Sequence, residues 1–140
     1  MKAAVCDASV LFKLLIVEED SEDANRLLAS SQLATSELAF AEIGNVLWSR
    51  IRDGRFDIDA GQALMQKLHA LPLDVRSMRP FLARALSLAA VVNHPIYDCL
   101  YLALAEHLEI PLVTADRRFL AALHRAEWQT VEVMALAAAV

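Results

Sequence analysis

Apolar residues come in two patterns along this chain: short unbroken runs, and longer stretches in which they recur every three or four positions. Residues 2–6 form a short apolar run closed by Asp7, and residues 8–17 carry apolar side chains too densely for a half-exposed strand. The pair predicts a strand and then a helix. Ser21 followed by Glu22 and Asp23 is a cap with an acidic first turn, which starts a second short helix running to about residue 30. Residues 33–35 suit a short strand. Ser36 caps a long helix over 37–53, with Leu38, Ile43, Val46, Leu47 and Ile51 on its apolar side and Gly54 as its stop. Asp57 or Asp59 starts the next helix, which ends before Pro72. A strand at 73–75 and a helix over 80–92 follow, the latter ended by Asn93, His94 and Pro95. A helix over 97–108, a strand at 112–114, a helix over 117–124 and a last strand at 130–133 complete the pattern.

Strands thus alternate with helices throughout, which implies a parallel sheet of four to five strands covered on both faces, an α/β sandwich. In such sheets ligands gather at the carboxyl ends of the strands, so an acidic residue at that end carries information.

Composition narrows the class. At 140 residues and 57% hydrophobic content, the chain has material for one well-filled core, and a single domain over 1–140 is expected. Three glycines and four prolines leave little for linkers, and no internal repeat is present. Asp7 and Lys13 interrupt the first apolar runs, so no secretory signal is read there. The longest uncharged apolar stretches fall short of the ~20 residues that cross a bilayer. Cys6 and Cys99 match no metal spacing and read as reduced, buried thiols, each adjoining an acid. A cytoplasmic protein without membrane attachment is expected. The net charge of −5 argues against a generally basic nucleic-acid coat. Ten of the thirteen cations are arginine, which suits bidentate phosphate contact and leaves room for a local basic patch.

Four carboxylates sit where solvation is poor. Asp7 ends the first strand inside Ala-Ala-Val-Cys-Asp-Ala-Ser-Val-Leu-Phe, and Asp116 follows the strand Leu-Val-Thr-Ala. Each suits a helix N-cap. Together they stand at one end of one sheet. Glu42 has Leu38, Ala39, Asn45 and Val46 as its helical neighbours and faces inward, where a carboxylate needs a cation, either an arginine or a metal. Asp98 lies in the first turn of a helix that is otherwise apolar, where the helix dipole also favours an acid. If the four converge, repulsion at ~5 Å and an effective dielectric of ~20 is about 3 kcal/mol per ionised pair, and such a cluster needs divalent cations. Oxygen ligands suit magnesium or manganese rather than zinc. His69, His94, His107 and His124 are scattered and read as surface residues.

With these residues in hand, the chain resembles the PIN-domain ribonucleases, and among them the VapC-type toxins of bacterial toxin–antitoxin pairs. The likeness covers nearly the whole length. It is carried by an ordered set: Val-Cys-Asp-Ala-Ser-Val-Leu from Val5, Ser-Glu-Leu-Ala-Phe-Ala-Glu-Ile-Gly-Asn-Val-Leu from Ser36, Tyr-Asp-Cys-Leu-Tyr-Leu-Ala-Leu-Ala-Glu from Tyr97, and Pro-Leu-Val-Thr-Ala-Asp-Arg-Arg-Phe from Pro111. The resemblance implies a PIN-like three-layer sandwich. It assigns Asp7, Glu42, Asp98 and Asp116 to an acidic quartet that binds Mg²⁺, with Mn²⁺ as a substitute, and gives Ser9 and Thr114 supporting hydroxyl positions. Asn45 falls where the family often keeps a polar side chain near the metal. The implied activity is metal-assisted hydrolysis of RNA phosphodiester bonds, with Asp7 and Asp98 as first choices for direct ligands, Glu42 direct or water-mediated, and Asp116 more peripheral. The implied partners are RNA, a cognate antitoxin protein and a second copy of the chain, with DNA met only indirectly through the antitoxin. The helices around residues 24–28 and 43–51 are the expected antitoxin groove.

The overall acidity and the loop over 93–96, which has no phosphate-binding signature, depart from an obvious RNA grip. Lys13, Arg50, Arg52, Arg55, Arg117 and Arg118 are the cations available to supply it. Two other readings compete. A catalytically silent PIN-like module that sequesters a partner protein has no need of all four acids. A phosphatase with Asp7 as nucleophile commonly wants a second aspartate two residues on, where this sequence has Ser9.

Overall fold

The computed structural model describes residues 1–140. Its strands are β1 (Ala3–Cys6), β2 (Gln32–Ser36), β3 (Leu73–Arg76), β4 (Leu112–Thr114) and β5 (Val133–Ala135). All pair in parallel, in the order β3-β2-β1-β4-β5. The helices are α1 (Ala8–Leu15), α2 (Ser21–Ser30), α3 (Leu38–Arg52), α4 (Ile58–Ala70), α5 (Leu82–Val92), α6 (Ile96–Leu108) and α7 (Arg117–Arg125). The protein is therefore an α/β sandwich with a five-stranded parallel sheet flanked by helices.

The burial of each strand follows from its place. Central β1 and β4 are covered on both sides, so they read as continuous apolar runs. Edge strand β3 is mostly exposed and carries Asp74 and Arg76, whose charges pair at 2.8 Å and discourage further strand addition. Helix α6 packs across β1, β2 and β4, with α5 against it, and α1 lies on β1 and β4. One cluster of 32 buried hydrophobic residues joins the layers.

The last strand is displaced from its expected place at 130–133. Leu112 pairs with Val133 and Thr114 with Ala135, so β5 begins only where its three-residue partner begins, after Pro111. The long helix also differs in one face. Ala39, Ile43 and Leu47 are its buried residues, while Val46, expected on the apolar side, is 40% exposed.

Topology fixes where a site can form. After β1 the chain winds outward to β2 and β3, then returns to the other side of β1 for β4. Strand order reverses between β1 and β4, which leaves a crevice at their carboxyl ends. Asp7 follows β1 there, and Thr114 and Asp116 stand at the end of β4.

Candidate active site

Asp7 is 3% exposed and sits at the floor of this crevice. It caps α1 by accepting from the backbone N–H of Val10 at 3.3 Å. That capping role, expected from sequence, accounts for only part of its surroundings. The Ser9 hydroxyl donates to Oδ1 at 2.5 Å, and the Thr114 hydroxyl donates to Oδ2. The direction of both bonds is set from behind, because Ser9 Oγ accepts from the N–H of Ala115 at 2.9 Å and Thr114 Oγ1 from that of Asp116 at 3.0 Å. Each hydroxyl is left with its proton pointing at Asp7. Burial nevertheless dominates and pushes the Asp7 carboxyl up to about 6, against the lowering effect of the two hydroxyls; the nearby Asp98 adds to the rise.

Asp98 occupies the first turn of α6 and is partly buried. Desolvation raises its pKa most, the hydrogen bond from His94 opposes the rise, and the Asp116 charge adds to it. Glu42, on α3, is half-buried and faces the cleft. Its Oε1 accepts from the Tyr101 hydroxyl at 2.5 Å. Burial raises the Glu42 pKa, the Tyr101 bond opposes it, and both Asp98 and Asp116 push it further up. Asp116 caps α7, its Oδ1 accepting from Arg118 and Phe119 N–H groups at 2.9 and 3.2 Å. Its second oxygen is not engaged in the cap.

The four acids, delivered by four separate elements, thus lie in one another's electrostatic field. No lysine or arginine makes an ion pair with any of them. The arginine that could have satisfied Glu42 is absent, and its partner is instead a tyrosine.

A cleft of about 740 Å³ opens in front of Ser9 and Glu42, between α1 and α3. Phe12, Leu38 and Val46 give it an apolar wall, and Asn45 lines it one turn beyond Glu42. Arg50 lies at the cleft with its guanidinium 4.9 Å above the Phe12 ring and no carboxylate partner. Lys13 is less free, since it bonds Glu18 at 3.4 Å and the Glu19 carbonyl at 2.9 Å. Arg52 stacks on Trp48 and pairs with Asp53. Helix α2 takes no part in this wall. Ala24 and Leu27 are fully buried in the core, and the cleft lies between α1 and α3.

Two residues of the site escaped the sequence reading. His94 is a half-buried neighbour of the acids rather than a surface residue: its Nε2 lies 2.5 Å from Asp98 Oδ2. One donor atom from each of His94, Asp98 and Asp116 lies within 4.8 Å of the others. The four-residue spacing of His94 and Asp98 is a detectable signal, hidden by the helix break between them. Tyr101 is fully buried and stands three residues after Asp98, on the same side of α6.

Comparisons with known proteins agree with this fold. The PIN domain family model matches residues 4–123. Ribonuclease VapC3 of Pyrobaculum aerophilum is 36% identical over 117 residues, which cover 81% of this chain and 89% of the relative. Among solved structures, PAE2754 from Pyrobaculum aerophilum superposes with a TM-score of 0.68 at 28% identity, covering 92% of this chain and 91% of its own. VapBC2 from Rickettsia felis, bound to a DNA fragment from its promoter, shares the fold, with a TM-score of 0.63 at 11% identity over 95% of this chain and 98% of that one.

Proposed function

The chain belongs to the PIN-domain family, and on that premise we propose that it is a divalent-metal-dependent endoribonuclease, one PIN domain over 1–140, acting as the toxin of a type II toxin–antitoxin system. The observation that carries the chemistry is the unneutralised quartet. Beyond the effect of burial, the Asp98 charge raises the pKa of Asp7 and Glu42 and the Asp116 charge that of Glu42 and Asp98, with no lysine or arginine paired to any of the four, and oxygen donors in this number suit Mg²⁺, with Mn²⁺ able to replace it. Asp7 and Asp98 would hold the ion directly, Glu42 directly or through water, and Asp116 through the oxygen its cap leaves free.

When bound, the cation supplies charge neutralisation for a scissile phosphate and lowers the pKa of water. The protein's own groups do the rest. Ser9 and Thr114 hold the Asp7 carboxylate in one orientation, so no rearrangement is needed as charge develops. Tyr101 does the same for Glu42. Arg50, stacked and unpaired, is placed to hold a phosphate further along the strand entering the cleft. No side chain here is required as a covalent nucleophile.

The proposed partners follow from the surface. The apolar wall of the α1–α3 cleft suits an antitoxin segment with an apolar face and a basic side chain directed at the acids. DNA would be met only through that antitoxin. Exposed Leu86 and Val91 on α5 support a homodimer, and a cytoplasmic location fits two free, buried thiols. Purified protein with a labelled RNA, assayed with chelator and then with added Mg²⁺, tests the reading: cleavage should need the metal. A protein that holds the partner but cleaves no RNA under any metal would favour the silent binding module.

A further inference from the structure

His94 is held more rigidly than a surface histidine would be. It lies in the break between α5 and α6, where Asn93 turns the chain through a left-handed conformation (φ 55°) and Pro95 opens α6. The His94 N–H donates to the Ala89 carbonyl at 3.2 Å, which closes the end of α5. The imidazole packs against the fully buried Phe119 at 5.0 Å between centroids. The ring is thereby fixed with Nε2 toward Asp98, 2.5 Å from Oδ2.

We propose that His94 is a direct ligand of the divalent cation, its Nε2 joining one oxygen each from Asp98 and Asp116 in a mixed nitrogen–oxygen face, and that through this residue the protein favours manganese over magnesium. The inference rests on the metal-dependent reading above. Ligands at about 2.1 Å from an ion stand about 3.0 Å apart when adjacent and about 4.2 Å when opposite. The three donor atoms span no more than 4.8 Å. Side-chain rotations bring them onto one face of the ion: the His94–Asp98 contact opens by about half an ångström and the widest-spaced pair closes by up to about 1.8 Å. In its Nδ1–H form the ring presents the Nε2 lone pair to the ion. Phe119 and the closed turn have already restricted the side chain, so little freedom is lost on binding. Magnesium prefers oxygen and water ligands, whereas imidazole is a good ligand for first-row transition ions, so a nitrogen in the face shifts preference toward manganese.

The test uses the full chain labelled with ¹⁵N-histidine and loaded with Mn²⁺ alone, read by pulsed electron paramagnetic resonance, together with calorimetric affinities for Mn²⁺ and Mg²⁺. The wild type should show ¹⁵N coupling to Mn²⁺. His94→Asn should abolish it and weaken Mn²⁺ about 10-fold or more, while Mg²⁺ affinity changes less than about threefold. Bound Mn²⁺ without histidine coupling in the wild type, which needs no variant to observe, overturns the role of His94 and leaves the acidic metal site standing. Coupling that persists in His94→Asn also overturns it. Failure of Mn²⁺ to bind at all would remove the metal reading and this inference together.

Discussion

The Tyr101 hydroxyl reaches across from α6 to donate to Glu42 Oε1 on α3 at 2.5 Å. It ties two elements that carry different acids of the quartet, and it does so from a side chain with no solvent exposure. Burial, reinforced by this proximity to Glu42, pushes the Tyr101 phenol far above its ordinary pKa, so the hydroxyl remains a donor at any working pH.

Removing that donor alone should therefore be informative. Tyr101→Phe keeps the ring in the core and leaves Glu42 free to reorient. RNA cleavage should fall about 10- to 100-fold, as for other groups that orient a metal ligand. Stability should fall by about 1–2 kcal/mol, read by denaturant unfolding. Activity equal to wild type would show that Glu42 needs no orienting.

Asp7 makes the metal-free protein sensitive to pH. Its folded pKa of about 6 lies above the unfolded 3.8, so the folded state holds the proton more tightly. This contribution is fully present below about pH 4 and is lost as pH rises through about 6. By pH 7 the loss is of order 3 kcal/mol. Asp7→Asn should abolish both cleavage and this dependence, and should be more stable than metal-free wild type at pH 7. Thermal unfolding in chelator at pH 4.5 and 7 checks it; parallel pH profiles for the two proteins would contradict the assignment.

Arg50 is the cation best placed to meet a phosphate, since it lines the cleft without a carboxylate partner. Arg50→Ala should raise KM for a labelled RNA about 10-fold with a smaller change in kcat. Arg52→Ala, which breaks only surface contacts with Ser49, Asp53 and Trp48, should change neither. Equal effects would point to overall charge rather than to a phosphate contact.

Val46 tests the partner groove separately from the chemistry. It is exposed on the cleft wall and not part of the core. Val46→Asp should abolish capture of a co-expressed cognate antitoxin, measured by size exclusion, while leaving stability within about 0.5 kcal/mol of wild type. If the partner inserts a cation among the acids, inhibition should weaken as Mg²⁺ rises.

Much of this was legible in the sequence because the signals were local. Asp57 capping α4, Gly54 ending α3 with φ 75°, and the apolar runs of β1 and β4 each declare themselves within a few residues. The four acids were conspicuous as charges in apolar settings. What stayed hidden depended on distance along the chain. The Thr114 hydroxyl meets Asp7 across 107 positions and Tyr101 meets Glu42 across 59, and no periodicity encodes either meeting. His94 was passed over because it lies beyond a helix end, where spacing along a helix no longer predicts direction. Val46 falls on the apolar side of α3 by period yet is exposed, because a period of 3.6 marks a face but cannot say whether a neighbour covers its margin.

The central claim is that Asp98 and its three companions cut RNA by holding a divalent cation. The most direct test measures cleavage of a labelled RNA by wild type and Asp98→Asn in chelator and in Mg²⁺, with unfolding midpoints measured alongside. Wild type should be silent in chelator and active on Mg²⁺ addition. Asp98→Asn should remain about 1,000-fold or more below it, with its fold intact. Cleavage that survives chelation, or a wild-type rate in Asp98→Asn, would contradict the account.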